Sequence, residues 1–324
     1  MENSTVQWCL AAQALRDTPS KDKPHGFGGN WGGHYASYHH NMIAHCESRV
    51  PRLGPRPTTL ALTECVDIRN NVFYNWAGEG CYGGEDQHVN LVNNYYKPGP
   101  ATTGRVKDLK FFRQSSARDQ EKAPLRAVSK WYFSGNVMEG NSELTSDNWK
   151  GVYTDGSYPY SFDEMKAPSF IVASGRDNYE QYWFDWETYT LSEKYESAEQ
   201  AFQSVIGQNG AGAFPRDKVD ERIMKEVKNG SCTYTGAGNE TSGSIPGIIN
   251  SPDEAEGFGG LTYKTSGAIT DADKDGMDDA WEKKVGLDPN NPEDRNKTTD
   301  VGYTALEVYL NSLVDESISY NFKK

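Results

Sequence analysis

Short apolar runs, each introduced by one or two polar residues, recur through the first 141 residues: His40-Asn41-Met42-Ile43, Asn70-Asn71-Val72-Phe73-Tyr74, Asn93-Asn94-Tyr95-Tyr96 and Gly135-Asn136-Val137-Met138. Runs this short, rich in β-branched and aromatic residues, predict strands rather than helices. The unequal intervals between Asn41, Asn71, Asn94 and Asn136 suit a solenoid whose turns carry loops of different length. Stacked asparagines can hydrogen-bond side chain to side chain, which predicts a ladder at the bend where each coil turns a corner. Unrelated Asn-rich hairpins would look similar, but no Asn-Gly or Asp-Gly two-residue turn separates these strands.

The pattern then changes. Residues 142–190 are rich in Trp, Tyr, Asp and Ser, with Trp149, Tyr153, Tyr158, Tyr160, Tyr182, Trp183 and Trp186 prominent. They predict an extended segment along the outside of the coil, its aromatics acting as buried anchors. Two helices follow. Ser197 and Gln200 form a capping box ahead of an apolar face of Ala198, Ala201, Phe202, Val205 and Ile206, ended by Gly207. Pro215 opens the second, whose stripe is Val219, Ile223, Met224 and Val227 before Gly230. Both faces are expected to dock on the coil. Residues 229–268, full of Gly, Ser, Thr and Asn, read as loop or linker. The organisation expected is an all-β coil over 1–141, a loop-and-helix tail over 142–268 and a small α-helical module over 269–324.

That last module carries the most specific motif. Asp271-Ala272-Asp273-Lys274-Asp275-Gly276-Met277-Asp278-Asp279-Ala280-Trp281-Glu282 places carboxylates at loop positions 1, 3, 5, 9 and 12, glycine at 6 and a backbone carbonyl at 7. Hard Ca2+ takes six to eight oxygens, so Asp271, Asp273, Asp275, Met277 (through its carbonyl), Asp279 and Glu282 are the expected ligands. A stripe of Leu306, Tyr309, Leu310 and Leu313 is expected to pair with the module's first helix. The module resembles the calcium-binding repeats appended to secreted carbohydrate enzymes, and its metal would be structural.

Only 36% of the 324 residues are apolar, a composition that suits many short strands and turns. The formal net charge of -13 argues against nucleic acid or an anionic membrane as partner. An acidic substrate would need a local basic patch or a bridging cation. Cys9, Cys46, Cys65, Cys81 and Cys232 make an odd count without CxxC spacing, which supports neither a zinc site nor a complete disulfide framework and leaves room for one or two bridges. No apolar run approaches a membrane span. Sequons at Asn3, Asn229, Asn239 and Asn296 are compatible with secretion, although the start of the chain lacks a basic segment followed by a hydrophobic one.

The local basic patch is present. Arg49, Arg52 and Arg56 lie on a turn stiffened by Pro51, Pro55 and Pro57, directly after a predicted strand. Guanidinium forks held on a rigid turn suit anions such as carboxylates; arginines paired to nearby acids are the other reading. Together with Val6-Gln7-Trp8-Cys9, His25-Gly26-Phe27-Gly28-Gly29-Asn30-Trp31-Gly32-Gly33, Arg69-Asn70-Asn71-Val72-Phe73-Tyr74-Asn75-Trp76 and Val92-Asn93-Asn94-Tyr95-Tyr96, the stretch from His39 to Arg52 resembles the pectate lyase family of polysaccharide lyases, as does the phrase Gly210 to Ile223. The resemblance implies a right-handed parallel β-helix, a substrate groove, and Ca2+-dependent β-elimination of polygalacturonate. In that family the acids holding the catalytic Ca2+ lie largely on coils before the strand that Val6 to Leu10 resembles. The chain is therefore expected to correspond to the C-terminal part of a longer lyase, secreted and monomeric when complete, and poorly active and prone to associate by itself.

Residue by residue, the resemblance makes Arg49 the base and Arg52 the ligand of the substrate carboxylate, with Lys23 a second carboxylate ligand for which Lys21 is an alternative. β-Elimination removes a proton α to a carboxylate, and cationic groups at that carboxylate stabilise the charge as it develops. Two other classes stay open: a non-catalytic pectin-binding β-helix, and a glycoside hydrolase drawing a carboxylate pair from Glu64, Asp67, Glu79, Glu85 and Asp86. His25, His39, His40 and His45 fit groove lining or solenoid stacking better than a metal site.

Overall fold

The Asn-led runs become one strand in every three of a winding chain. The computed structural model describes residues 2–17, 24–54, 64–106, 108–114, 127–154, 158–167, 196–212, 216–238, 243–257, 269–300, 302–313 and 321–322. They fall in two compact units, Met1–Thr262 and Tyr263–Lys324. In the first, all three sheets are parallel and five-stranded. One consists of β1 (Glu2–Gln7), β4 (His34–His39), β7 (Cys65–Arg69), β10 (His88–Val92) and β13 (Lys130–Ser134). The second holds β2 (Leu10–Ala12), β5 (Met42–Ala44), β8 (Val72–Tyr74), β11 (Tyr95–Lys97) and β14 (Val137–Met138). The third holds β3 (Asn30–Trp31), β6 (Arg52–Leu53), β9 (Tyr82–Gly83), β12 (Phe112–Gln114) and β15 (Val152–Thr154). Neighbours within a sheet are three strands apart in sequence, so the chain visits each sheet once per coil. This is a parallel β-helix.

The corner between the first and second sheets explains the asparagines. Trp8, His40, Asn70, Asn93 and Gly135 each adopt a left-handed conformation, with φ from 52° to 65°, which turns the chain between strands. The next residue in coils two to five is the ladder asparagine. The Asn41 amide donates to Asn71 Oδ1 (3.1 Å), Asn71 to Asn94 (2.9 Å) and Asn94 to Asn136 (2.9 Å), across sequence separations of 30, 23 and 42. Each acceptor oxygen also takes the backbone N–H of the preceding member. Buried backbone donors that a bend removes from the strand ladders are thereby satisfied.

The β-helix runs past residue 141, where the apolar pattern stops. Asn136 donates to Asn148 Oδ1 (3.0 Å), and β15 closes the fifth coil at Thr154. The pattern hides this because Asn148 opens a 3-10 turn, Asn148–Gly151, instead of a strand.

In-register rows fill the interior: Ala36, Val66, Val89 and Trp131 on the first sheet, then Tyr38, Ile68, Leu91 and Phe133. Ile43, Phe73, Tyr96 and Met138 form the inner row of the second sheet. Each of the larger aliphatic and phenylalanine side chains contributes about 2 kcal/mol by leaving water, and Ala36 less. The second sheet is apolar on its outer face too, where Met42, Ala44, Val72 and Tyr74 meet Phe202, Val205, Ile223, Met224 and Val227.

Those partners come from the tail. Three short helices, α1 (Pro100–Arg105), α2 (Ser142–Ser146) and α3 (Phe162–Met165), precede α4 (Ala198–Ile206) and α5 (Lys218–Asn229). The Ser197–Gln200 capping box opens α4 and a left-handed Gly230 ends α5. Asp217, whose carboxylate accepts from the Val219 and Asp220 N–H groups, caps α5; Pro215 lies outside the described residues. Tyr158 is buried and Trp149 packs edge-on against Phe133; Tyr182, Trp183 and Trp186 lie outside the described residues. All five cysteines are free, so neither of the bridges left open by the sequence forms.

The second unit contains α6 (Asp279–Val285) and α7 (Ala305–Ser312). Met277, Leu287, Ala305 and Tyr309 form its core, with Leu306 and Leu313 packed against it. Leu310, placed on the buried stripe by its spacing, is 49% exposed; Val308 is buried instead.

Candidate functional site

Arg49 lies in the link from β5 to β6 in a left-handed conformation, φ 58°. Its carbonyl accepts from the Gly29 N–H (2.9 Å), the Ser48 carbonyl from Gly28 (2.9 Å), and the Val50 N–H donates to Gly80 O (3.0 Å). The turn is thus pinned between the coils on either side. Gly28 makes the fit possible: a Cβ there would lie 2.6 Å from Arg49 O and 2.7 Å from Ile43 Cγ2. The Arg49 guanidinium lies over the Phe27 ring, 4.2 Å from its centroid, and its Nη1 is 3.5 Å from Asn30 Oδ1. Among the described residues, no carboxylate forms an ion pair with it.

Arg52 belongs to β6, in register between Asn30 and Tyr82. Leu53 beside it points into the core, so Arg52 faces outward by the alternation of a strand. Its Nη2 lies 3.8 Å from Glu85 Oε1, a loose pair, and its guanidinium carbon is 5.9 Å from the Tyr82 centroid. The structure therefore brings both arginines against Asn30. Lys23, with Lys21, and Arg56 lie outside the described residues.

The outward row continues in a way that spacing along the chain does not reveal. Register places Asn30, Arg52, Tyr82, Arg113 and Tyr153 side by side. Arg113 sits 5.3 Å from the Tyr82 centroid and pairs with Glu79 (2.7 Å); Lys110 Nζ lies 3.6 Å from the Tyr153 centroid. Tyr82 is buried and Lys110 covers the Tyr153 ring, so the strip presents chiefly cations along the coil axis, which suits a chain of acidic sugars.

The remaining carboxylates are mostly engaged. Asp67 accepts two bonds from Arg69 (2.7 and 2.8 Å) and one from Asn90. Burial raises Glu64 to about 7, and Gln87 donates to it. Burial, with His40 and Arg69 nearby, lowers His39 to about 4, and the His40 ring stacks on Trp8. His45 is fully buried: the Asn75 amide donates to Nδ1 (2.9 Å), leaving the ring proton on Nε2, 2.9 Å from Glu226 Oε2. Burial pushes Glu226 up, but His45, Thr233 and Arg222 together hold it at about 2. This network fastens α5 to the coil.

Among the described residues, trios of acids at metal-ligating distance occur only in the second unit: Asp271, Asp273 and Asp275, then Asp275, Glu282 and Asp294. Asp271 accepts from the Asp275 and Gly276 N–H groups, which winds the loop. Asp279 belongs to neither trio; its Oδ1 accepts from the Ala272 N–H (2.9 Å). Asp294 escapes the loop motif because it follows Glu282 by a helix and a turn; the one sequence hint is its place in an Asp- and Asn-rich turn, Asp288 to Asp294. Burial and the surrounding acids, Asp275 first, raise Glu282 to about 7.

No family model matches the chain. Among curated proteins, those named "Probable pectate lyase C" from Neosartorya fischeri and Aspergillus fumigatus are 28% and 27% identical to it over 252 residues, 76% of this chain and 48% of each relative. Another of that name, from Emericella nidulans, is 25% identical over 323 residues, 97% of this chain and 60% of the relative. The chain, a parallel β-helix similar to proteins named as pectate lyases, spans about half the length of most of the curated relatives it matches.

Proposed function

We infer that the arginine corner serves Ca2+-dependent β-elimination of polygalacturonate, with Arg49 as base and Arg52 holding the uronate carboxylate. The observation carrying this reading is that Arg49, the one residue asked to take a proton, has no carboxylate partner among the described residues while the turn that carries it is pinned by backbone hydrogen bonds to the coils on either side. An arginine paired with an acid would be held in its charged form. The reference pKa of arginine is about 12.5 to 13.8, so turnover should climb into the alkaline range. Arg52 and the neighbouring strip would position the anionic sugar and lower the charge cost at the carboxylate as the C5 proton leaves. Lys23 remains the proposed second carboxylate ligand. Secretion suits a pectin substrate and the sequons. For the catalytic cation the described residues of the first unit supply no acid trio, and Asp67 and Glu79 are tied to arginines.

That shortage of free acids favours, as a second reading, a β-helix that binds pectin without cutting it. The test is polygalacturonate with Ca2+ in alkaline buffer, followed by the near-ultraviolet absorbance of unsaturated products. Lyase action predicts absorbance lost in Arg49→Lys and on chelation. Binding without absorbance supports the second reading, and reducing ends without absorbance would point to hydrolysis. Arg49→Lys retaining most of the turnover would remove Arg49 as base.

A further inference from the structure

The loop Asp271 to Glu282 is written for one ion, yet its carboxylates fall into two trios, one of which reaches Asp294 outside the loop. Oxygens on one Ca2+ lie about 2.3–2.6 Å from it, hence within roughly 5 Å of one another. Within each trio the ligand atoms lie within 4.8 Å, and the trios share only Asp275. Glu282, which at position 12 would ordinarily close the first site, groups with Asp294 from outside the loop.

Asp275, Glu282 and Asp294 are 1%, 0% and 3% exposed. Asp275 Oδ2, both Glu282 oxygens and Asp294 Oδ1 are buried without a hydrogen-bond partner, as are both Asp273 oxygens. Among the described residues no lysine or arginine pairs with any of them. Buried carboxylates without a counter-charge are strongly disfavoured. Asp271, Asp273, Asp275, Glu282 and Asp294 carry five negative charges when ionised; one divalent ion leaves three uncompensated and two leave one.

We propose that the second unit holds two divalent cations, one at Asp271, Asp273, Asp275 and the Met277 carbonyl, the other at Asp275, Glu282 and Asp294. The proposal rests on reading the loop as a Ca2+ site. The second ion joins the loop, the first turns of α6 and the turn that carries Asp294, whose Oδ2 already accepts from the Asp288 N–H (2.8 Å).

The full chain, stripped with chelator and titrated with Ca2+ by calorimetry, tests this against Asp294→Asn and Asp271→Asn, with folding checked by circular dichroism. Asparagine at 294 keeps an acceptor for the Asp288 N–H, so the turn should persist. Each variant is expected to bind one Ca2+ fewer than the parent and to retain the other. Asp294→Asn leaving the stoichiometry unchanged, or both variants abolishing one and the same ion, would overturn the second site while sparing the first. Stoichiometry unchanged in both variants would refute the loop reading as well.

Discussion

Asn71 tests whether the ladder holds the coils together. Its amide donates to Asn94 Oδ1, Tyr38 O and Arg69 O, and its oxygen accepts the Asn41 N–H and amide. Asn71→Ala strands a buried backbone donor and removes a donor from two buried carbonyls. At about 1–3 kcal/mol for an orphaned group, and less for each carbonyl, the loss should total roughly 3–5 kcal/mol. Asn71→Asp keeps the shape and the acceptor but directs a carboxylate at three oxygens 2.9–3.0 Å away, so it should be no better tolerated. The assay is urea denaturation followed by tryptophan fluorescence. A loss below about 1 kcal/mol for Ala, or a tolerated Asp, would show that the ladder decorates a bend held by packing alone.

Two further outcomes are expected. Glu226 is held at about 2, below its ordinary 4.5, so its stabilisation is present above pH 4.5 and drains as pH falls toward 2. Glu226→Gln should flatten that acid limb and weaken the first unit by about 3 kcal/mol; an unchanged pH profile of stability would contradict the pairing with His45. Gly28→Ala should displace the Arg49 backbone at a cost of about 1–3 kcal/mol and weaken polygalacturonate binding. Gly104→Ala in α1, where a Cβ meets nothing within 4 Å, serves as the control, and equal behaviour of the two in denaturation would remove the close approach as the reason for glycine at 28.

Sequence periodicity was enough for the ladder, because Asn41, Asn71, Asn94 and Asn136 each sit one residue before a short apolar run and only a stacked bend satisfies all four. Helix stripes were legible for the same reason: Phe202, Val205, Ile223 and Val227 repeat at helical spacing, while their outer-face partners Met42, Val72 and Tyr74 were identified by the structure. Local chemistry likewise spells out the acidic loop, since Asp271, Asp273, Asp275 and Glu282 lie within twelve residues; Ca2+ binding there is a proposal.

What tertiary structure alone decided is everything that depends on register between coils. Tyr82 and Arg113 join Arg52 because parallel pairing lays distant strands side by side, and no spacing along the chain encodes that alignment when the intervening loops differ in length. Leu310 faced solvent, Asn148 extended the ladder from a 3-10 turn, and Asp294 entered the acid cluster from beyond α6. In each case the deciding partner lies far along the chain or outside a repeating element, where a local pattern carries no information about distance in space.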